Sequence, residues 1–119
     1  MKKIIHADNS GFFRRLMRSF LEAQGFEVES FDSAQEANMV IGAGAADIVI
    51  TGLAFPDMDG EEFISRVRES FAGPIIVVSS SIDNQDKYER LVDLGIRAMV
   101  LKSGPWKENL KPFLAEFKQ

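Results

Sequence analysis

Cysteine is absent from this sequence of 119 residues, and histidine occurs only once. Without cysteine the chain forms neither disulfides nor thiolate metal sites. The single histidine, His6, has no cysteine or carboxylate partners at the spacing of a metal-ligand set. We therefore predict that His6 is a buried or edge residue of a strand and that it binds no metal.

The sequence also lacks an apolar run of 18 residues, a secretory leader and an excess of basic residues. Its formal net charge is -4 at pH 7, whereas proteins that bind nucleic acid usually present a basic face to the phosphates. We therefore expect a cytoplasmic protein that binds neither nucleic acid nor membrane. Internal repeats and linkers are absent too, so the sequence predicts a single domain over residues 1–119.

The stretch from Asp47 to Gly60, DIVITGLAFPDMDG, carries the most information. Its apolar residues 48–50 do not alternate with polar ones, which is typical of a parallel strand buried on both faces. A loop follows, and a helical pattern begins at Gly60. Asp59 is predicted to cap that helix, because its carboxylate can accept from the free amides of the first turn.

Five short apolar segments of strand character alternate with five segments of helical periodicity. The predicted strands cover residues 3–7, 26–31, 48–50, 75–78 and 98–101. The predicted apolar stripes of the helices are Phe13, Leu16, Met17, Phe20 and Leu21; Ala34, Ala37, Met39 and Ile41; Phe63, Ile64 and Val67; Tyr88, Leu91, Val92 and Leu94; and Leu110, Phe113, Leu114 and Phe117. Gly25 and Gly95 are predicted to end helices, and Asp83 or Asn84 to cap the fourth. This alternation predicts βαβ units and one parallel sheet covered by helices on both faces.

In folds of this kind, ligands bind beyond the carboxyl ends of the strands. The residues at those ends are Asp8, Asn9, Gly52, Ser79 and Lys102. Through the segments KKIIHADNS, DIVITGLAFPDMDG, GPIIVVSS and LGIRAMVLKS, the chain resembles the receiver domains of two-component response regulators over essentially its whole length. The resemblance implies a flavodoxin-like, doubly wound (βα)5 sandwich of three layers, with a parallel sheet in the strand order 2-1-3-4-5.

Receivers take a phosphoryl group from a histidine kinase on an aspartate that ends the third strand, while Mg²⁺, a hydroxyl and a lysine neutralise the transferring oxygens. The resemblance assigns Asp8 to the first acidic position, Ser79 to the hydroxyl and Lys102 to the lysine. It places Gly52 at the phosphoacceptor position and Asn9 at the second acidic position. Because glycine offers no nucleophile and one carboxylate remains of three, we expect no catalytic residue, no cofactor, and weak or absent Mg²⁺ binding.

The neighbours of Gly52 do not replace the missing aspartate. Alternation along the strand turns Thr51 to the opposite face of the sheet. Asp57 is interpreted as a turn former in the loop and Asp59 as the helix cap. We therefore predict a degenerate receiver, or pseudo-receiver, which is not an enzyme and which acts through protein contacts without phosphorylation.

The usual contact surface of receivers is formed by the fourth helix, the fifth strand and the fifth helix. The resemblance places Tyr88, Arg97 and Met99 near this surface, and Met99 stands where many receivers carry an aromatic residue that couples the site to the surface. Methionine is flexible and can repack. The expected partners are proteins of a signalling pathway, such as a histidine kinase or an output domain.

Other interpretations stay open beside this one. The space left by the missing side chain, next to Ser79 and Lys102, could hold a small anionic ligand. A flavin-binding electron carrier on the same fold is disfavoured, because residues 9–12 do not resemble a phosphate cradle. Two polar segments are interpreted as ordinary surface: the basic strip of Arg14, Arg15 and Arg18, and the loop from Ser79 to Ser81.

Overall fold

Five parallel strands form one sheet in the computed structural model, which describes residues 1–81 and 84–118. The strands are β1 (Lys3–Ala7), β2 (Glu27–Phe31), β3 (Ile48–Thr51), β4 (Ile75–Ser79) and β5 (Ala98–Leu101). Their order in the sheet is β2-β1-β3-β4-β5, and every neighbouring pair is parallel. The predicted fold class and strand order are therefore confirmed.

Five helices connect the strands: α1 (Gly11–Ala23), α2 (Ala34–Gly42), α3 (Gly60–Arg68), α4 (Gln85–Asp93) and α5 (Trp106–Phe117). Ser10, Ser33, Asp59 and Asn84 cap the first four, each accepting from a backbone N–H of the first turn. Asp83, the other predicted cap of α4, lies outside the described residues. Gly25 and Gly95 follow α1 and α4 with φ values of 95° and 80°, the left-handed conformation expected for these helix ends.

The helices divide between the two faces of the sheet and produce two apolar cores. On one face, α1 and α5 pack their buried residues, among them Phe13, Met17 and Leu110, against the sheet. On the other, α2, α3 and α4 contribute residues such as Ile41, Phe63 and Leu91. Both faces of β3 and β4 are buried, which explains their unbroken apolar sequence.

Several apolar residues of the predicted stripes are exposed, so the stripes are not buried along their whole length. Met39 of α2 is 69% exposed, and Tyr88 and Val92 of α4 are 39% and 48% exposed, whereas Leu91 is buried. Leu16 of α1 is also partly exposed. Periodicity identifies the apolar side of a helix, but the packing of the neighbouring elements decides how much of that side is covered.

Arg68 at the end of α3 holds several chain segments together. Its guanidinium donates hydrogen bonds of 2.7 to 3.1 Å to the carbonyl oxygens of Phe71, Gly73, Leu94 and Gly95. These carbonyls belong to the end of α4 and to the connection between α3 and β4. Arg68 therefore satisfies backbone groups that neither helix can satisfy itself. None of the helices in the described part of the chain is long and apolar enough to span a bilayer.

Candidate functional site: a recess at the carboxyl edge of the sheet

A recess of about 410 Å³ opens at the carboxyl ends of β1, β3, β4 and β5. The strand order reverses between β1 and β3, which is where folds of this class bind ligands. Backbone hydrogen bonds hold the rim together, from Gly52 N–H to Ala7 O and from Lys102 N–H to Ser79 O. The structure brings all five residues predicted for the site into the lining of this recess: Asp8, Asn9, Gly52, Ser79 and Lys102.

Asp8 and Lys102 form an ion pair at the base of the recess. Lys102 Nζ lies 2.8 Å from Asp8 Oδ2, and the Asp8 side chain is 4% exposed. Asp8 Oδ1 accepts a hydrogen bond of 2.8 Å from the backbone N–H of Ser10. Among the described residues, no donor meets Oδ2 in a well-aligned hydrogen bond, so the Lys102 contact is mainly electrostatic. The two charges compensate each other in a place that water reaches poorly.

The polar groups around this pair are already engaged or turned toward solvent. Ser79 is buried, and its hydroxyl donates to the carbonyl oxygen of Ser81 at 2.9 Å. Asn9 is exposed at the mouth. Lys87 of α4, which sequence reasoning missed, also lines the recess, and its Nζ donates to Asp59 Oδ1 at 2.9 Å. The loop from Ser79 to Ser81 is therefore held partly by its own hydrogen bond.

Gly52 follows the last residue of β3 and is buried beside Asp8. A Cβ atom at this position would lie 3.1 Å from Asp8 Oδ2 and 3.7 Å from the carbonyl oxygen of Val78. Asp8 would have to shift by a few tenths of an ångström to admit even an alanine. Thr51 is buried, and its hydroxyl donates to the Gly52 carbonyl at 2.8 Å. The carboxylate of Asp8 therefore lies against the position from which a side chain at residue 52 would begin.

The acidic residues in the loop between β3 and α3 have structural roles. Asp57 accepts from the N–H groups of Ala34 and Gln35, at 3.2 and 2.9 Å, so it caps the start of α2 from another loop. Asp57 lies in a bend of the loop, and its hydrogen bonds to residues distant in sequence add a role that the interpretation as a turn former did not include. Asp59 caps α3 as predicted. Gly60 is needed because a Cβ there would lie 2.4 Å from the Cα of Leu53.

The donor set of the recess does not fit a Mg²⁺ ion, the metal that the fold family implies. Mg²⁺ binds through carboxylate and other oxygen ligands in a near-octahedral arrangement. Of the described residues that line the recess, Asp8 alone carries a carboxylate, and its oxygens face the Ser10 N–H and the Lys102 ammonium. In residues 1–81 and 84–118, no three acidic or histidine side chains come together as a metal-ligand group.

His6 lies on β1, two residues before Asp8, and it is fully buried. Among the described residues, neither ring nitrogen has a hydrogen-bond partner, and the hydroxyl of Ser30, its neighbour on β2, has none either. Burial lowers the pKa of His6 to about 4, against the opposing influence of Asp8. The prediction of a buried strand residue is confirmed, and the ring is neutral at pH 7.

The three arginines of the first helix are exposed or partly exposed, as the interpretation of a solvated strip expects, and two of them also bind backbone. Arg14 donates to the carbonyl oxygen of Asp8 at 2.6 Å, and Arg18 donates to that of Val28 at 3.0 Å. Arg15 is exposed. The basic residues of α1 therefore support the strand ends on either side of it.

The predicted contact residues lie on or beside α4 and β5. Tyr88 is partly exposed on α4, and Met99 on β5 packs partly against the core beneath α2, α3 and α4. Arg97 precedes β5 and forms a paired ion contact with Glu116 of α5, with distances of 3.1 and 2.8 Å. Its guanidinium also lies 4.9 Å from the centre of the Phe113 ring. Arg97 is therefore bound to α5.

Comparison with known proteins decides the family. Residues 4–111 match the model of the response regulator receiver domain. The chain belongs to this family. A receiver domain is a module of two-component signalling, and it interacts with signalling proteins such as kinases and output domains.

Two relatives differ in how much of their length this receiver covers. It is 31% identical over 91 residues to the KDP operon transcriptional regulatory protein KdpE of Escherichia coli, covering 76% of this chain but 40% of KdpE. It is 28% identical over 101 residues to the chemotaxis protein CheY of Halobacterium salinarum, covering 85% of this chain and 84% of that protein. The receiver thus spans less than half of one relative and most of the other.

Solved structures agree with the fold of this receiver. The chemotaxis protein CheY4 of Vibrio cholerae superposes with a TM-score of 0.85 at 24% identity, covering 98% of both chains. The beryllofluoride-activated receiver domain of Klebsiella pneumoniae RstA also superposes with a TM-score of 0.85, at 21% identity. The match covers 98% of this chain and 99% of the RstA domain. At these identities the likeness establishes the three-layer architecture alone.

Proposed function

We propose that this receiver is a pseudo-receiver, a signalling module that binds a protein partner without being phosphorylated at the usual position. The observation that carries the proposal is Gly52. It follows β3 inside the recess, at the position that the family resemblance assigns to the phosphoacceptor, and it has no nucleophilic atom. The recess therefore keeps the family's lysine and hydroxyl positions while lacking the group that would accept the phosphoryl.

The charges in the recess support the same proposal. The family constellation of three carboxylates and one lysine sums to -2, whereas Asp8 and Lys102 sum to zero. Lys102 is engaged with Asp8 at 2.8 Å and has no second acidic family position to neutralise. We propose that Mg²⁺ binding is weak or absent, since a neutral pair attracts a divalent cation far less than three carboxylates do.

We propose that the partner binds the surface formed by α4 and β5, here named the α4–β5 face and defined by Tyr88, Val92, Met99 and Leu101. Tyr88, Val92 and Leu101 are 39%, 48% and 42% exposed, so apolar side chains from both elements reach solvent. A partner that covers these side chains would remove apolar surface from water, which favours association. Arg97, bound to Glu116, lies at the border with α5 and would supply the polar rim.

A binding titration tests the proposal. A partner captured from lysate by the tagged receiver is identified and purified, and its affinity is measured with and without Mg²⁺ and beryllofluoride, a mimic of the phosphoryl group. We expect the dissociation constant to stay within tenfold, about 1.4 kcal/mol, because no covalent switch is present. We expect the Tyr88→Ala and Val92→Ser changes to weaken binding.

Arg15→Ala is the matched control for this titration, because Arg15 is exposed on α1 whereas Arg14 and Arg18 hold backbone carbonyls. An affinity that changes more than tenfold with beryllofluoride would mean that the recess still controls the surface. Loss of binding in Arg15→Ala, with Tyr88→Ala unaffected, would place the partner on α1 instead.

A second candidate function is the binding of a small anion in the recess. Two ammonium groups, of Lys87 and Lys102, and the hydroxyl of Ser79 line the same recess, which favours an anion site. Gly52 has no side chain that would occupy the space between them. Against it, both ammonium groups already contact carboxylates, at 2.9 and 2.8 Å. Calorimetric titration with inorganic phosphate separates the candidates: heat of binding that is lost in Lys102→Met would favour the anion site.

A further inference from the structure

Lys102 has a second contact besides Asp8. Its Nζ lies 4.3 Å from the centre of the Phe13 ring, within the range of a cation–π interaction. Phe13 is the third residue of α1 and is 6% exposed, so its ring is shielded from water. The ammonium is therefore shared between a carboxylate in the recess and an aromatic ring in the core beneath α1 and α5.

The Phe13 ring leads directly to the start of α5. Its centre lies 5.0 Å from that of Trp106, with an angle of 60° between the rings, and Trp106 meets Phe20 nearly edge-on at 5.5 Å. Trp106 is the first residue of α5 and follows Lys102 by four positions. Aromatic rings in such contact cannot shift independently, because the core around them is close-packed.

We infer that Phe13 couples the charge in the recess to the start of α5, through a chain of contacts formed by Lys102, Phe13 and Trp106. A negative charge added beside Gly52 attracts the ammonium away from the ring. The Phe13 ring then loses its cation, and it repacks together with Trp106. The coupling runs on the face of the sheet that carries α1 and α5.

This route is separate from the α4–β5 face. Met99 lies on the other face of the sheet, among residues packed beneath α2, α3 and α4. The inference therefore goes beyond the proposed function and does not depend on which surface the partner binds. A receiver of this kind can leave the α4–β5 face unchanged while responding at α5.

Fluorescence of Trp106, the single tryptophan of the chain, gives the test. Gly52→Asp places a carboxylate beside Asp8 and Lys102, and Gly52→Asn places a neutral side chain of the same shape there. Both are made in the parent and in Phe13→Leu, and circular dichroism checks that each variant is folded. We expect the emission of Gly52→Asp to differ from that of Gly52→Asn in maximum or intensity, and this difference to be lost in Phe13→Leu.

Two results would overturn the inference. One is identical emission from Gly52→Asp and Gly52→Asn in the parent background. The other is a difference that persists in Phe13→Leu, since the added charge would then act on Trp106 without the ring. If Gly52→Asp does not fold, Asp8→Asn replaces it: removing the carboxylate frees Lys102 for the ring, and a change in Trp106 emission that vanishes in Phe13→Leu is again required.

Discussion

Between pH 6.5 and pH 4 the free energy of unfolding is expected to fall by about 3 kcal/mol because of His6 alone. Burial lowers the pKa of this imidazole from 6.5 to about 4 in the folded protein, so the unfolded chain takes up a proton first. The contribution of the neutral His6 to stability is fully present above pH 6.5 and is lost progressively as the pH falls toward 4. Below that pH the ring is protonated in both states, and the loss stops.

The charged groups around His6 do not prevent this loss. Asp8 favours the protonated ring, but burial outweighs its effect, and the positive charges of Lys102 and Arg14 lower the pKa of His6 further. Among the described residues no acceptor meets either nitrogen, so an imidazolium here would be charged and without a hydrogen bond.

Urea denaturation of the parent and of His6→Leu, at intervals between pH 7 and pH 4, measures the effect. The difference between the two proteins isolates His6, because the carboxylates common to both cancel. Asp57, for example, affects the free energy of unfolding only at lower pH. Hydrogen bonds from the Gln35 N–H and its neighbours lower the pKa of Asp57 below 3.8, so its contribution to stability is lost only below that pH. A difference independent of pH would contradict the burial of a neutral ring.

The double change Gly52→Asp with Asn9→Asp is expected to lower stability in metal-free buffer by about 2 kcal/mol, or roughly 8 °C in Tm. The Cβ atom of the new aspartate at residue 52 would lie 3.1 Å from Asp8 Oδ2. Lys102, which compensates Asp8 in the present ion pair, would then face both carboxylates. The second new carboxylate would not be far away, because Asn9 lines the same recess. Three carboxylates then face one ammonium.

Millimolar Mg²⁺ is expected to restore part of this loss, because an ion that binds only the folded state stabilises it. Thermal denaturation with and without Mg²⁺ gives both quantities. Gly52→Asn is the control for shape, since it brings the same crowding without charge, and it should show no response to Mg²⁺. A double variant that is as stable as the parent and insensitive to Mg²⁺ would show that the recess has moved away from receiver geometry.

Local sequence patterns predicted the architecture because each pattern reports on its own element. The unbroken apolar residues of β3 and the caps Asp59 and Asn84 required no knowledge of distant contacts. The five residues of the recess could be brought together for a similar reason, because parallel strands align their carboxyl ends on one edge of the sheet.

What sequence reasoning missed depends on contacts between segments far apart in the chain. Asp57 caps α2, which begins 23 residues earlier, and Arg68 binds carbonyls at the end of α4. Lys87 enters the recess only because α4 lies against the start of α3. The spacing of residues within one element does not predict these contacts. The exposure of Met39 and Val92 likewise depends on neighbours that a helical period does not specify.

The persistence of the PDMDG segment beside Gly52 has a structural explanation. Asp57 caps α2, Asp59 caps α3, and Gly60 allows the close approach of Leu53. These residues hold the loop and two helices in place whether or not the preceding position accepts a phosphoryl group. The PDMDG motif therefore has a structural role that does not depend on the residue at position 52.

Intact-mass spectrometry after incubation with acetyl phosphate and Mg²⁺ shows whether the recess of this receiver accepts a phosphoryl group. A receiver with an aspartate at the end of its third strand, treated in parallel, verifies that the donor is active. We expect the mass of this protein to stay unchanged, since Gly52 has no atom that can attack the donor. A phosphoryl adduct that peptide mapping places on any residue of the recess would contradict this expectation.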